Sequence, residues 1–293
     1  MRLSRHPRAD EVLVDPHTHT KFSDGLSTPR KMFLRAREQS LRGLIITDHD
    51  TVRHWEPALL AARRLGMATA LGVELSTAEG HLLAYFACDT PARRVARALR
   101  LDEGTIHYFE PRSAIRRVHE LGGLVCVPHP FGPFYPLGDR YFGLVDGVEE
   151  YNSWIYRDTL RFHNAFGCGA RHRVAALGAS DSHYPFTVGF GVTAVPAALD
   201  FTKPDWFLHC LRQRLTRPIV LQRPIHRRIN YLKWTVSLPL NVRYNARFFR
   251  AKWRGYWRQY YYEMISGEDA SQEGDAPLRK HPVQAPLGEE GRS

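Results

Sequence analysis

Two short stretches place metal-ligating residue types at alternate positions of the chain. In His17-Thr18-His19 the two imidazoles project to the same side of an extended strand and can share one cation. Asp181-Ser182-His183 repeats that spacing with one carboxylate and one imidazole. Between them lie Asp24 in an SDG turn, Asp48, His49 and Asp50 in TDHD, Glu74, His81, and His129. His129 stands between two prolines, which fix the backbone and so the direction of the ring. A carboxylate among several histidines, as Glu74 would be, can bridge two cations and offset their repulsion. Nitrogen and oxygen ligands without thiolate suit Zn, Mn or Fe, and not copper(I) or an iron–sulfur cluster. The isolated His6, His107, His119, His172 and His281 read as surface or satisfied core residues. GxSxG and glycine-rich phosphate loops are missing from the sequence, which leaves no competing serine nucleophile or nucleotide cradle.

These residues need strands to present them. Apolar runs predict strands over 12–20, 43–50, 67–76, 81–88, 123–131, 146–152 and 174–183, with 77–80 as a hairpin turn. Thr28 and Pro29 supply an N-cap and a first helical residue for a helix to about Ser40. Further helices are expected over 56–65, 91–101 and 111–121. Alternating strands and helices predict an α/β fold with a parallel core. The candidate ligands recur where strands end, and the C-terminal strand ends of an α/β barrel meet at one rim. No internal repeat is seen.

With 43% hydrophobic and 24% charged residues, the 293-residue chain is too apolar for wholesale disorder and long enough for one large domain or two small ones. No run approaches 18 apolar residues, and the first 15 residues carry no apolar segment of signal length; a cytoplasmic protein is expected. Cys88, Cys126, Cys168 and Cys210 are too dispersed for a zinc ribbon and do not read as a disulfide framework. The net charge of +11 is concentrated: Lys203–Tyr262 holds 14 Lys and Arg against Asp205 alone, or +13, leaving −2 elsewhere. Over 241–264 a helix is expected, with Arg243, Arg247, Arg250, Arg254 and Arg258 on one face and Phe249, Trp253, Tyr256, Trp257, Tyr260 and Met264 on an adjacent one. That extension could meet an anionic membrane surface, could bind nucleic acid, or could pack its aromatics on the barrel. The expected organisation is an arm over 1–11, a barrel over 12–224, a basic helical extension over 225–265 and a disordered tail over 266–293.

DPHTHTKFSDG (15–25), LIITDHDT (44–51), GVELS (72–76), VPHPF (127–131) and ASDSH (179–183) together resemble the PHP (polymerase and histidinol phosphatase) family of metal-dependent phosphoesterases. The resemblance covers roughly residues 12–200 and implies a distorted (β/α)7 TIM-like barrel with two or three divalent cations (Mn2+, Zn2+ or Fe2+) at its rim. Carried onto this sequence, it implies His17, His19, Glu74 and Asp181 as ligands of a first cation. Asp24, His49 and His183 would hold a second, and Glu74, His81 and His129 a third. Family members acting on nucleotide bisphosphates carry a sizeable insertion between the positions of His81 and His129; here 47 residues intervene, so that specificity is not carried over.

The chemistry expected is hydrolysis of a phosphate ester by a metal-bridging hydroxide, with a phosphomonoester favoured and a nucleotide or oligonucleotide diester as the alternative. Hydrolysis of a carbon–oxygen or carbon–nitrogen bond, and binding of anionic lipid or nucleic acid through the extension without catalysis, are the readings from other classes. His183 or Asp50 would move a proton, Asp50 alternatively orienting a ligand. Lys21, Arg53 and Asn152 are the candidate substrate contacts, with Glu150 a supporting or substrate-contacting group.

Overall fold

Thr28 accepts the Lys31 backbone N–H and Pro29 occupies the first turn, so α1 runs Pro29–Glu38. The computed structural model describes residues 6–102, 106–132, 136–153 and 165–221, with the single positions 246, 250 and 254. In chain order the elements are β1 (Glu11–Asp15), α1, β2 (Gly43–Leu44), α2 (Trp55–Leu65), β3 (Leu71–Ser76), β4 (His81–Phe86), α3 (Ala92–Ala98), α4 (Pro111–Glu120), β5 (Leu124–Val127), β6 (Gly147–Asn152), α5 (Cys168–His172), β7 (Ala175–Ala179), β8 (Gly191–Pro196), α6 (Trp206–Arg212) and β9 (Arg217–Val220). Met32, Phe33 and Ala36 of α1 pack with Ala58, Ala61 and Ala62 of α2, the apolar stripes of the two helices.

The α/β class holds, but the strands make two sheets rather than one closed barrel: β2-β1-β8-β9 and β3-β4-β5-β6-β7. The core is also less parallel than expected. The expected hairpin at 77–80 is present and sets β4 antiparallel to β3; beyond it, β4 also runs antiparallel to β5, and β8 antiparallel to β1 and β9. The hairpin at 77–80 forces the first reversal, because a short turn can join only antiparallel strands. β8, β9 and α6 have no counterpart among the expected elements.

β8 explains why one seam stays open. It occupies the flank of β1 along Glu11–Val14, where a seventh strand would close a ring. There the hydrogen bonds between β7 and β8 among the described residues run through the Thr193 side chain, which accepts the Gly178 N–H at 3.0 Å and donates to the Gly178 carbonyl at 2.8 Å. A Cβ on Gly178 would lie 2.4 Å from the Val192 carbonyl oxygen, so only glycine permits this approach. Beyond the end of β1 the two chains do touch. His19 N–H donates to the Ser182 carbonyl at 2.8 Å and Asp181 N–H to the His17 carbonyl at 2.9 Å. At the other seam β2 is short, but its continuation bridges β3 at His49 and Glu74. Both seams are thus drawn together at the level of the ligand-type side chains.

The opposite end is apolar. Tyr85 packs edge-to-face on Phe207 of α6, their centroids 4.9 Å apart, among Leu83, Leu124, Cys126, Ala175 and Leu177. Among the described residues no helix is long and apolar enough to cross a membrane. The 241–264 helix lies outside the described residues apart from positions 246, 250 and 254, which are helical, Arg250 and Arg254 being exposed. The 1–11 arm is described only from His6, and the 266–293 tail lies outside the described residues.

Candidate metal centre

Six imidazoles and three carboxylates from seven separate strand ends and loops gather at the drawn-in rim. His17 and His19 arrive on the continuation of β1, and Asp24 on the loop that follows. That loop is folded back by Asp48, which accepts Thr20 N–H at 2.6 Å, Thr20 Oγ1–H at 2.5 Å and Ser23 Oγ–H at 2.6 Å. Gly25 lies so close to the chain it returns to that a Cβ would stand 2.4 Å from the His19 carbonyl oxygen. His49 follows β2, Glu74 is in β3, His81 opens β4, His129 follows β5, and Asp181 and His183 follow β7. Asp50, His129 and Asp181 adopt positive φ of 51°, 29° and 53°, so the strand exits turn sharply at the rim.

The tightest group is His17, His19, Glu74 and Asp181. His17 Nε2 lies 3.0 Å from His19 Nε2 and 3.0 Å from Glu74 Oε2. His19 Nε2 is 3.1 Å from Glu74 Oε2 and 3.2 Å from Asp181 Oδ1, and His17 Nε2 is 3.5 Å from Asp181 Oδ1. A second group surrounds Asp24: its Oδ2 is 3.3 Å from His183 Nε2 and 3.7 Å from His49 Nε2, and its Oδ1 is 3.7 Å from His19 Nδ1. The third uses the other oxygen of Glu74, whose Oε1 is 2.9 Å from His81 Nδ1 and 3.3 Å from His129 Nε2. Glu74 therefore divides its two oxygens between neighbouring sets of nitrogens.

This arrangement fits divalent cations. A cation with bonds of about 2.0–2.1 Å in tetrahedral geometry spaces its ligand atoms about 3.3 Å apart, which is the spacing of the first group. Hydrogen bonding alone does not account for the packing. His19 Nδ1 and His129 Nδ1 are buried with no hydrogen-bond partner among the described residues, an expensive state for polar atoms. Sets of such atoms within reach of one ion are His19, Asp24, His49 and His183; His17, His19 and Asp181; and His49, Glu74 and His81.

The electrostatics point the same way. Burial would lower the His17 imidazole, but Asp181, Glu149 and Glu74 outweigh it and hold it well above its ordinary value. His19 is raised likewise to about 10, burial being overcome by Asp181, Glu74 and Asp24. Burial would raise Glu74 and Asp181, yet the surrounding imidazoles keep both carboxyls well below the usual range. The carboxylates stay ionised in a buried pocket, where a divalent cation would replace the protons as their counter-charge.

Glu149 supports this rim and was not foreseen. Its Oε1 accepts His17 Nδ1–H at 2.8 Å, fixing the ring so that Nε2 faces the other ligands. Its Oε2 accepts the His129 backbone N–H and an Asn152 amide N–H, each at 2.9 Å. The sequence reading named Glu150 instead; Glu150 turns away and accepts the Gly169 N–H at 2.9 Å. A bulge in β6 between Glu149 and Tyr151 sets this outcome, since one extra residue shifts the alternation and lets Glu149 and Asn152, three apart, face the same side. The GVEEYN string holds no sign of that bulge beyond its adjacent carboxylates.

Asn152 bridges Glu149 and Asp181, donating to Asp181 Oδ2 at 3.1 Å. Asp50 accepts Ser76 N–H at 2.8 Å and Ser76 Oγ–H at 2.7 Å, which ties it to the end of β3. Lys21 and Arg53 are exposed, the Arg53 guanidinium lying 6.0 Å from the Phe22 ring centroid.

A buried imidazole–carboxylate centre at the strand ends of an α/β fold defines the class of metal-dependent hydrolases. The PHP domain family matches residues 15–140. An uncharacterized protein of Methanocaldococcus jannaschii is 31% identical over 160 residues, covering 50% of this chain and 85% of that protein. The Escherichia coli 5'-3' exoribonuclease Rnm is 46% identical over 68 residues, 22% of this chain and 23% of that enzyme. Among solved structures, a two-domain Bacteroides vulgatus protein containing a predicted PHP-like metal-dependent phosphoesterase superposes with a TM-score of 0.58 at 20% identity, over 75% of this chain and 69% of that one. The chain belongs to the PHP family, as a hydrolase of that family's type.

Proposed function

We propose that the protein hydrolyses a phosphate ester at a centre of two or three divalent cations, with a phosphomonoester as substrate. The observation that carries this reading is Glu74, whose two oxygens each face separate imidazole nitrogens within 3.5 Å. Bound divalent cations supply an activated water of pKa about 7 and neutralise charge on the phosphoryl group. His17, His19, Glu74 and Asp181 would hold one cation, Asp24, His49 and His183 a second, and Glu74, His81 and His129 a third.

The chain's own groups set the ligand atoms. Glu149 takes the His17 Nδ1 proton and leaves Nε2 as the donor atom. Asn152 occupies Asp181 Oδ2 and leaves Oδ1 toward the histidines. His183 Nδ1–H donates to the Asp181 carbonyl at 3.0 Å, since a carbonyl can only accept. His183 Nε2 can then ligate or take a proton, but not both, and its 3.3 Å approach to Asp24 favours ligation. Asp50, engaged by Ser76 through both oxygens, is a positioning residue for the hairpin rather than a proton carrier. Lys21 and Arg53, exposed on the loop of Asp24 and after His49, would meet substrate charge. Thiols without disulfides at all four cysteines suit a cytoplasmic setting.

The similarity to an exoribonuclease favours one second reading, cleavage of a phosphodiester in RNA. The test is metal analysis of the purified protein coupled to phosphate release from sugar phosphates, nucleotides, histidinol phosphate and short oligonucleotides. Phosphate release by the wild type, with metal and activity both lost in His17→Ala and Asp181→Ala, is expected. Full activity in both variants would overturn the proposal, and shortening of oligonucleotides without monoester hydrolysis would transfer it to the second reading.

A further inference from the structure

The tip of the β3–β4 hairpin carries an acid that the site does not use. Its backbone is fixed by Thr77, whose N–H and Oγ1–H donate to the Gly80 carbonyl at 2.8 and 2.6 Å and whose Oγ1 accepts Gly80 N–H at 3.1 Å. Ala78 N–H donates to the Phe109 carbonyl at 3.0 Å. This rigid turn separates Glu74 from His81 and projects Glu79 toward the chain that follows His129. There Tyr141 Oη–H donates to Glu79 Oε1 at 2.6 Å, and Arg140 pairs with Glu79 Oε2. The same downstream segment is joined to His129 through Gly138 N–H, which donates to the Pro130 carbonyl at 2.9 Å, and through Gly132 N–H, which donates to the His129 carbonyl at 2.8 Å.

We propose that Glu79 is a positioning residue for the third ligand group: through Tyr141 and Arg140 it locks the hairpin bearing Glu74 and His81 to the segment leaving His129. The β4–β5 ladder at Leu83–Cys126 and the Glu149 bond to the His129 N–H set the strands that carry His81 and His129; beyond that ladder, where no strand pairing among the described residues joins the hairpin tip to the segment after Pro130, the Glu79 contacts add a tie between the two loops. The two partners carry unequal weight. Arg140 is 68% exposed, so its ion pair is screened, whereas Tyr141 is 2% exposed and its hydroxyl is held inside. Burial and the Glu79 carboxylate push the Tyr141 phenol up to about 12, so it remains a donor. Guanidinium groups of Arg112 and Arg140 lie 5.7 and 5.9 Å from its ring centroid and hold the ring in place.

The inference rests on the divalent-cation reading but on no choice of substrate. Calorimetric titration of Mn2+ into the metal-stripped full chain tests it, run beside phosphate release and thermal unfolding. Glu79→Ala is expected to weaken one class of Mn2+ site by about 10–100-fold, the range for groups that orient metal ligands, with the other class unchanged and the metal-free unfolding midpoint retained. Glu79→Gln keeps an acceptor for Tyr141 and should recover most of the affinity. Tyr141→Phe should follow Glu79→Ala in direction, and Arg140→Ala should change least. Unaltered Mn2+ titration in Glu79→Ala overturns the inference while leaving the phosphoesterase reading standing. Should that variant not fold, an unaltered titration in Tyr141→Phe overturns it. A wild type that binds Mn2+ yet cleaves no ester ends the phosphoesterase reading alone, and one that binds no divalent cation ends both.

Discussion

The same strands end in two very different environments. At the rim, buried imidazoles and carboxylates crowd together, held by side-chain hydrogen bonds and single backbone bridges. At the far end, Tyr85, Phe207, Leu124 and Leu177 pack as an ordinary apolar core beneath α6. Burying so many ionisable groups is costly without counter-ions, whereas burying the far end's apolar side chains favours folding. The rim is therefore suited to ion binding at a cost in stability, and the far end is one of the apolar clusters that offset that cost. Substitutions at the two ends should separate metal binding from folding.

The largest expected effect is at the rim. Combining His17→Ala with Asp181→Ala should bring bound metal and ester hydrolysis to background, while the unfolding midpoint in chelator moves far less. Circular dichroism melts beside elemental analysis check it; a collapse of the fold without change in metal content per folded molecule would erase the distinction between the ends. At the far end, Phe207→Ala removes a fully buried ring that packs edge-to-face with Tyr85 and Trp206. A loss of about 3–5 kcal/mol in chemical unfolding is expected, with Mn2+ affinity of the folded fraction retained.

A middle-sized effect is expected where support meets ligand. Glu149→Ala leaves His17 Nδ1, the His129 N–H and the Asn152 amide without their shared acceptor. Mn2+ affinity should fall by about 10–100-fold, or about 1.4–2.7 kcal/mol, by calorimetric titration. Glu150→Ala, one residue on, should leave the titration as in the wild type, because Glu150 binds the start of α5.

That pair of glutamates also marks where the sequence stops being readable. Ligand residues such as His17, His49 and Asp181 stand directly after apolar runs, and the end of a strand is visible in a one-dimensional string. Which of two adjacent glutamates faces inward depends on a bulge, and a bulge is a property of the pairing with β7. The same holds for the open seam. Nothing around Thr193 announces that its hydroxyl replaces a ladder at Gly178, because the two residues meet only after β8 has folded back along β1. Local chemistry was open to inspection; long-range pairing, which decides closure and register, was not. Tyr141 and Glu79 belong to that second kind, 62 residues apart and joined only by the folded loops.

The smallest effect lies at the far end and depends on pH. His119 at the end of α4 shares Asp146 Oδ2 with the Val125 N–H, both at 2.8 Å, and that bond raises the His119 imidazole above its ordinary value against a smaller opposing effect of burial. A group held more tightly protonated in the folded chain stabilises it below the unfolded-state pKa of about 6.5, and the contribution disappears as pH rises through the higher folded-state value. The His119 side chain is 37% exposed, so the contribution stays at or under about 1 kcal/mol. Chemical unfolding of the metal-stripped protein at pH 6 and pH 8.5 should show His119→Gln losing stability relative to wild type at the lower pH and matching it at the higher. An equal deficit at both values would mean that His119 acts here through packing rather than charge. The titration of the rim with Mn2+ should be indifferent to this substitution, which keeps the His119–Asp146 pair separate from the ion-binding end.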